Sequence, residues 1–234
     1  MKICTDSLIF GAMTPVKAGD QVLDIGTGTG LLSLMAAQLG AAEITAVELN
    51  PKACQEACHN FSQSPWTNRL TAVNTDIQSF QQSVARHYDL IISNPPFFAE
   101  HLKSGDIHRQ QARHTGSLPF QALISAVDNL LSASGLFYVL LPVTAVKLFT
   151  NLAQTSGLYP TRQIHYQAIA GKPPKVAALC FSRKKMEPET ETLLIYQSSG
   201  VYTPASSAYL QPFLLRFINT KIGGSKPEPG RNRI

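Results

Sequence analysis

The sequence predicts an α/β fold, a parallel sheet joined by crossover helices. Three observations lead there. Short apolar runs alternate with longer stretches of helical composition; a glycine-punctuated turn follows the first apolar run directly; and after Pro142 the pattern changes to long β-rich segments split by Gly171-Lys172-Pro173-Pro174.

The strands are expected at Gln21 to Ile25, Glu43 to Glu48, Leu70 to Asn74, Tyr88 to Ser93 and Leu136 to Leu141, each rich in β-branched or aliphatic residues. Between them lie helices at Leu31 to Leu39, opened by the glycine turn, at Pro51 to Phe61, with proline in the first helical position, and at Leu118 to Leu131. A further helix near Val143 to Thr155 precedes the β-rich segments Thr161 to Ala170 and Lys175 to Arg183. The Gly-Lys-Pro-Pro break between these two favours an antiparallel hairpin at the edge of the sheet. Glu187-Pro188-Glu189-Thr190-Glu191 reads as a polar loop, and Pro204 to Ile218 as a last amphipathic helix. Residues 1–219 then form a single domain, with 220–234, rich in Gly, Pro and basic residues, as a flexible basic tail.

Composition narrows the function classes. At 44% hydrophobic and 15% charged, the chain is too apolar for disorder. No run approaches the ~18 apolar residues of a membrane span, and Met1-Lys2-Ile3-Cys4 opens no signal-peptide apolar region, so a soluble cytoplasmic protein without membrane association is expected. Cysteines 4, 54, 58 and 180 make no CxxC pair, and reduced, mostly buried thiols are expected. Charge is uneven: residues 1–100 carry 5 basic and 9 acidic side chains, residues 101–234 carry 15 and 6. The second half attracts polyanions and the first repels them.

Val22-Leu23-Asp24-Ile25-Gly26-Thr27-Gly28-Thr29-Gly30-Leu31 is a buried strand running into a glycine turn and a helix. Gly26 and Gly28 let a ligand approach the backbone, and Gly30 permits tight packing of helix on strand. Leu31 stands where a dinucleotide fingerprint requires its third glycine, so that motif fails. The second strand ends in Glu48, about twenty residues on, where a carboxylate can accept both hydroxyls of a ribose. After the third strand, Asp76 is placed to accept from an exocyclic adenine amine or to cap a helix. The fourth strand leaves through Asn94-Pro95-Pro96-Phe97-Phe98, in which two prolines fix φ and present a carbonyl and an amide side chain rigidly.

Together the Gly26 to Gly30 turn, Glu48, Asp76 and Asn94-Pro95-Pro96-Phe97 resemble the class I S-adenosylmethionine-dependent methyltransferases that act on planar amino or amide nitrogens. The resemblance spans about residues 1 to 185. It implies a Rossmann-like, seven-stranded, mostly parallel sheet with an antiparallel C-terminal hairpin and helices on both faces, and S-adenosyl-L-methionine as cofactor. The glycine turn would hold its methionine part, Glu48 its ribose and Asp76 its adenine, with Thr5, Asp24, Leu49, Ile77 and Asn94 lining the same site. Asn94 Oδ1 and the Pro95 carbonyl would accept hydrogen bonds from both N–H groups of an adenine amine, aiming its lone pair at the methyl group, with Pro96 completing the turn and Phe97 stacking on an extruded base.

Lys2-Ile3-Cys4-Thr5-Asp6-Ser7-Leu8-Ile9-Phe10-Gly11-Ala12-Met13 is similar to the cofactor-covering N-terminal segment, placed within residues 1–20, of the bacterial tRNA1(Val) adenine N6-methyltransferases, which modify adenosine 37 beside the anticodon. Ala112-Arg113-His114, the Gly171 to Lys175 turn and Gly200-Val201-Tyr202-Thr203-Pro204 fit the same family, while Ser7 and Met13 replace a usual glycine and aromatic. That resemblance implies tRNA as the partner; nothing in the sequence requires an obligate protein partner. Lys103, Arg109, Arg113 and His114 in a loop over substrate, with Lys172 and Lys175, are the expected phosphate contacts, and the histidines there form no metal-ligand spacing. Two alternatives stay open: methyl transfer to another planar nitrogen, such as rRNA or DNA adenine or a protein glutamine amide, and RNA or nicotinamide binding without methyl transfer.

Overall fold

The computed structural model describes residues 4–95 and 118–214. Helix α1 (Thr5–Ala12) leads into β1 (Gln21–Ile25), α2 (Leu31–Leu39), β2 (Glu43–Glu48), α3 (Pro51–Ser62), β3 (Leu70–Asn74), α4 (Ile77–Ser83) and β4 (Tyr88–Ser93). After the next described residues come α5 (Phe120–Leu130), β5 (Leu131–Pro142), α6 (Val143–Thr155), β6 (Tyr159–Ile169), β7 (Val176–Ser182), β8 (Glu189–Ser198), β9 (Val201–Tyr202) and α7 (Pro204–Leu210).

All strands join one sheet in the order β3-β2-β1-β4-β5-β7-β6-β8-β9. The first five are parallel, and β7 runs antiparallel to both β5 and β6. The α/β reading holds, but the sheet has nine strands among the described residues where seven were expected. The β6–β7 hairpin is present yet not at the edge, because β8 pairs parallel to β6 and β9 pairs antiparallel to β8. Strand β8 begins at Glu189, inside the segment read as a polar loop. Its first four residues are exposed, and only Leu193 and Ile195 sink into the core, so half of the strand carries no burial pattern to read.

Alternation along the strands splits the core in two. Val22, Leu90 and Ile92 face one side, packing with Ile9 and Phe10 of α1, Ala36 of α2 and Phe61 of α3. Leu23, Ile25 and Ile91 face the other, against Phe80 of α4, Leu123 of α5 and Phe149 of α6. This is a three-layer sandwich with helices on both faces. Helix α7 is described only to Leu210 and passes into a turn, short of the helix expected to residue 218, whose end lies outside the described residues, as does the boundary between 219 and the tail 220–234. Of the four cysteines, none is disulfide-bonded, and only Cys54 and Cys180 are buried; Cys4 and Cys58 are exposed, against the expectation of mostly buried thiols. No described helix is long and apolar enough to cross a membrane.

Strand order reverses between β1 and β4, the switch point at which open α/β sheets bind ligands outside the carboxyl ends of their strands. Register aligns those ends. Ile25 lies opposite both Val47 and Ser93, and Glu48 opposite Asn74. The residues immediately following, Gly26, Glu48, Asp76 and Asn94, therefore emerge on a single edge.

Candidate active site

The turn after β1 is held to β2 by the Gly26 and Thr27 N–H groups, which donate to Val47 O at 2.8 and 3.2 Å. Gly26 has φ 74°, and a Cβ built there meets nothing within 4 Å, so the turn presents bare backbone to open space. Gly30 has a different reason to be glycine. At φ 88° its Cβ would come within 2.4 Å of the Phe61 ring, so the close packing it permits is against α3, where packing of helix on strand was expected.

Glu48 is clamped from both sides. Its Oε2 accepts from Gly28 N and its Oε1 from Asn50 N, each at 2.8 Å, which leaves each oxygen a further lone pair. Asn74 Nδ2 donates to the carbonyls of Glu48 and Leu49 at 2.8 and 3.1 Å and so stiffens the backbone beyond β2. Leu49 itself is 61% exposed, a large apolar side chain lying open beside the acid.

Asp24 lies beneath the turn, fully buried. Its Oδ2 accepts from Thr27 Oγ1 at 2.6 Å and Ser33 Oγ at 2.7 Å, while Oδ1 finds no hydrogen-bond partner among the described residues. Burial pushes its carboxyl up to about 6; the two hydroxyls oppose the rise and nearby Glu48 adds to it. The ordinary value is 3.8, so the native state holds this proton through a range in which the unfolded chain has lost it. Stability from this group therefore falls as pH rises from about 4 to about 6 and is flat above. Asp24→Asn is expected to remove that component, so that the difference between wild-type and variant unfolding free energies drifts across pH 4 to 6 by on the order of 2 kcal/mol. Denaturant melts at half-unit pH steps measure it, and a pH-independent difference would contradict the assignment.

Asp76 is the N-cap of α4, its Oδ1 accepting from Ser79 N and its Oδ2 from Ser79 Oγ, both at 2.8 Å. Those hydrogen bonds hold its carboxyl below the usual range. The cap alternative named from the sequence is thus realised, and the helix it opens carries only two inward apolar residues, Ile77 and Phe80. The Ile77 side chain belongs to the core.

Asn94, at the end of β4, donates from Nδ2 to Ser7 Oγ at 2.9 Å, and Pro95 beside it is buried. Ser7 lies on α1, so the N-terminal helix reaches the strand-four turn directly. Thr5, the first residue of that helix, has its Oγ1 2.8 Å from Tyr196 Oη on β8. Asp6 follows on the same helix; burial raises its carboxyl, opposed by the charge of Lys175, which brings the β6–β7 turn beside α1. Lys172 and Lys175 are both exposed on that turn. By contrast Arg162 pairs with Glu191 and Arg183 with Asp128, so two of the basic residues between 162 and 185 are occupied within the chain. Pro96, Phe97, Lys103, Arg109, Arg113 and His114, with the loop 99–117, lie outside the described residues.

The structure thus gathers Asp24, Gly26, Gly28, Gly30, Glu48, Leu49, Asp76 and Asn94 on one sheet edge and sets α1 against it. Sequence reading missed the supporting hydroxyls and amides, Thr27, Ser33, Asn74 and above all Ser7. Their types are ordinary, and only Ser7 carried a signal, as a polar residue where glycine is usual.

An open parallel sheet whose ligand-facing turns collect at the β1/β4 switch point, followed by an antiparallel strand pair, places the chain among the class I S-adenosylmethionine-dependent methyltransferases. Comparison with known proteins agrees. A family model described as "Ribosomal protein L11 methyltransferase (PrmA)" matches residues 4–103. A solved structure described as "a predicted O-methyltransferase" from Agrobacterium tumefaciens superposes with a TM-score of 0.68 at 14% identity, covering 88% of this chain and 95% of the other, which supports the fold. The tRNA1(Val) (adenine(37)-N6)-methyltransferase of Bacteroides fragilis is 41% identical over 92% of this chain and 92% of its own length, and that of Tolumonas auensis 41% identical over 92% and 91%. The chain belongs to this tRNA1(Val) (adenine(37)-N6)-methyltransferase family.

The residues present fit S-adenosylmethionine. Backbone at Gly26 faces open space, Glu48 has oxygens fixed and lone pairs to spare, Leu49 offers an exposed apolar surface to a flat ring, and the carboxylates suit a sulfonium cation.

Proposed function

We propose that the protein transfers the methyl group of S-adenosylmethionine to the exocyclic N6 of adenosine 37 in tRNA1(Val). The observation that carries this is Asn94-Pro95 at the carboxyl end of β4, one register step beyond the Ile25–Ser93 pair and so beside the glycine turn, in a chain sharing 41% identity with enzymes named for that reaction.

The arrangement of the described residues at the sheet edge supports this reading. The turn at Gly26 and Gly28, supported from beneath by the buried Asp24, would receive the methionine part of the cofactor, Glu48 the ribose hydroxyls, and Leu49, Asp76 and the backbone at Ile77 the adenine, with Thr5 and α1 covering it. Bound there, S-adenosylmethionine supplies an electrophilic methyl on a positively charged sulfur. The adenine amine is a poor nucleophile because its lone pair is delocalised into the ring. Asn94 Oδ1 and the Pro95 carbonyl accept its two N–H groups and turn the lone pair out of the ring plane, so the work is positioning and electrostatics. The methyl would pass to the nitrogen with the sulfur as leaving group, and the amine would shed one proton to solvent. Phe97, which follows Pro96 in the sequence, would stack on the extruded base. Lys172 and Lys175, with Lys103, Arg109, Arg113 and His114, meet tRNA phosphates, and a tRNA substrate sets the reaction in the cytoplasm.

Glu48→Ala is expected to weaken S-adenosylmethionine binding by about a hundredfold or more, since two ribose hydrogen bonds to a charged acceptor are lost together with the clamp on Gly28. Calorimetry on the folded variant tests it, and an unchanged affinity would remove Glu48 from the site. The match to a family described by a ribosomal protein methyltransferase keeps a protein nitrogen as a second reading. Incubation with methyl-labelled cofactor and unmodified bulk tRNA separates the two. Label in RNA supports the proposal; label arriving only on protein would favour an amide substrate.

A further inference from the structure

We infer that Ser7 is a positioning residue for the methyl-transfer step, holding the Asn94 side chain in the one orientation that can accept from the target amine. This rests on the adenine-N6 reading and deepens it.

A primary amide carries an acceptor oxygen and a two-proton donor on opposite ends of a nearly symmetric fork. Asn94 can serve an amine nucleophile only if Oδ1 faces it. Turned through a half rotation about its last bond, the same side chain would point two N–H groups at an amine that must itself donate, and the contact would be repulsive. Nothing intrinsic to asparagine selects between these states. In the structure Nδ2 donates to Ser7 Oγ at 2.9 Å, which leaves Oδ1 for the opposite side. Serine can both donate and accept, so its own proton has to be directed elsewhere. Cys4 Sγ lies 3.1 Å from the same hydroxyl oxygen and can take that proton, freeing an Oγ lone pair for Asn94.

The support is rigid enough to matter. Helix α1 is fixed at its far end by Phe10, fully buried and stacked on Tyr138 with ring centroids 4.4 Å apart and planes 4° from parallel. At Gly11 it approaches α2 so closely that a Cβ would sit 2.4 Å from Met35 Sδ. At its start, Thr5 Oγ1 meets Tyr196 Oη at 2.8 Å, and the Tyr196 ring stacks on Tyr202 at 4.9 Å. The two strands added beyond the expected seven thus brace the helix that carries Ser7. A hydrogen bond from a braced helix to a mobile-ended amide sets direction, which is the quantity methyl transfer depends on.

The test compares Ser7→Ala and Ser7→Thr in the full-length protein by single-turnover methylation of tRNA, with cofactor affinity and tRNA KM measured alongside. Alanine at a helical position keeps the helix and deletes only the hydroxyl. The transfer rate of Ser7→Ala is expected to fall about tenfold, with cofactor affinity and tRNA KM within about twofold of wild type. Ser7→Thr, which restores a hydroxyl, is expected to recover at least half the wild-type rate. A Ser7→Ala rate within twofold of wild type would overturn the proposal. So would a loss shared equally by the threonine variant, or one that appears as weaker cofactor binding, because each marks a packing role. A wild-type protein inactive on tRNA would instead overturn the functional reading on which the proposal rests.

Discussion

Asn94→Ala is expected to lower the rate of methyl transfer by at least about a hundredfold while leaving cofactor affinity within a few-fold, the size of effect seen when one preorganised polar group is removed from a reacting centre. The expectation follows from where the side chain stands. Asn94 directly follows Ser93, whose register partner on β1 is Ile25, and Ser93 Oγ donates to Ile25 O at 2.9 Å, so β4 is locked to the strand that leads into the glycine turn. On the proposed roles, cofactor and amine would be presented by adjacent strand ends with little freedom between them. The glycine turn and Glu48 remain intact in the variant, which is why binding survives when transfer does not. Asn94→Asp separates orientation from charge. It keeps an acceptor toward the amine but can no longer donate to Ser7, and Ser7→Ala should cost little further in that background. A variant that turned over normally would contradict the role of this side chain.

Gly30→Ala is expected to destabilise the protein by about 2 to 4 kcal/mol, combining the cost of a left-handed backbone for an L-residue with overpacking against Phe61. The thermal midpoint should fall by roughly 5 to 15 °C. Unlike the open position at Gly26, a Cβ at Gly30 would run into the Phe61 ring, and Gly30 N also closes the turn by donating to Thr27 O at 3.1 Å. Phe61→Leu in the same background should return part of the loss by relieving the ring contact, while the backbone strain remains; a double variant no better than the single would place the cost elsewhere.

The parts of the molecule that were legible in the sequence are those whose chemistry is local. A strand running into glycines, an acid at the end of the next strand, and Asn-Pro-Pro after the fourth each declare themselves within a few residues, and all three land on one edge because parallel βαβ units force them to. What was not legible depends on long-range pairing. Ser7 meets Asn94 across a separation of 87 residues, and no periodicity in either segment announces it. Strand β8 opens with Glu189, Thr190, Glu191 and Thr192, all exposed, so its sequence has the polarity of a loop; the Glu191 to Arg162 pair that helps to seat it exists only once β6 and β8 are side by side. That same pair removes Arg162 from the basic surface that the charge count suggested. Asp76 was read as either ligand or cap, and the cap is visible because Ser79 lies only three residues away.

The most direct measurement is methylation of an unmodified tRNA1(Val) transcript, followed by nuclease digestion and mass spectrometry of the fragment containing position 37. The expected result is one N6-methyladenosine at that position with wild-type protein, none with Asn94→Ala, and none in a transcript carrying guanosine at 37. Methyl incorporation into the guanosine-37 transcript equal to that of the unaltered one, or incorporation unaffected by loss of Asn94, would contradict it.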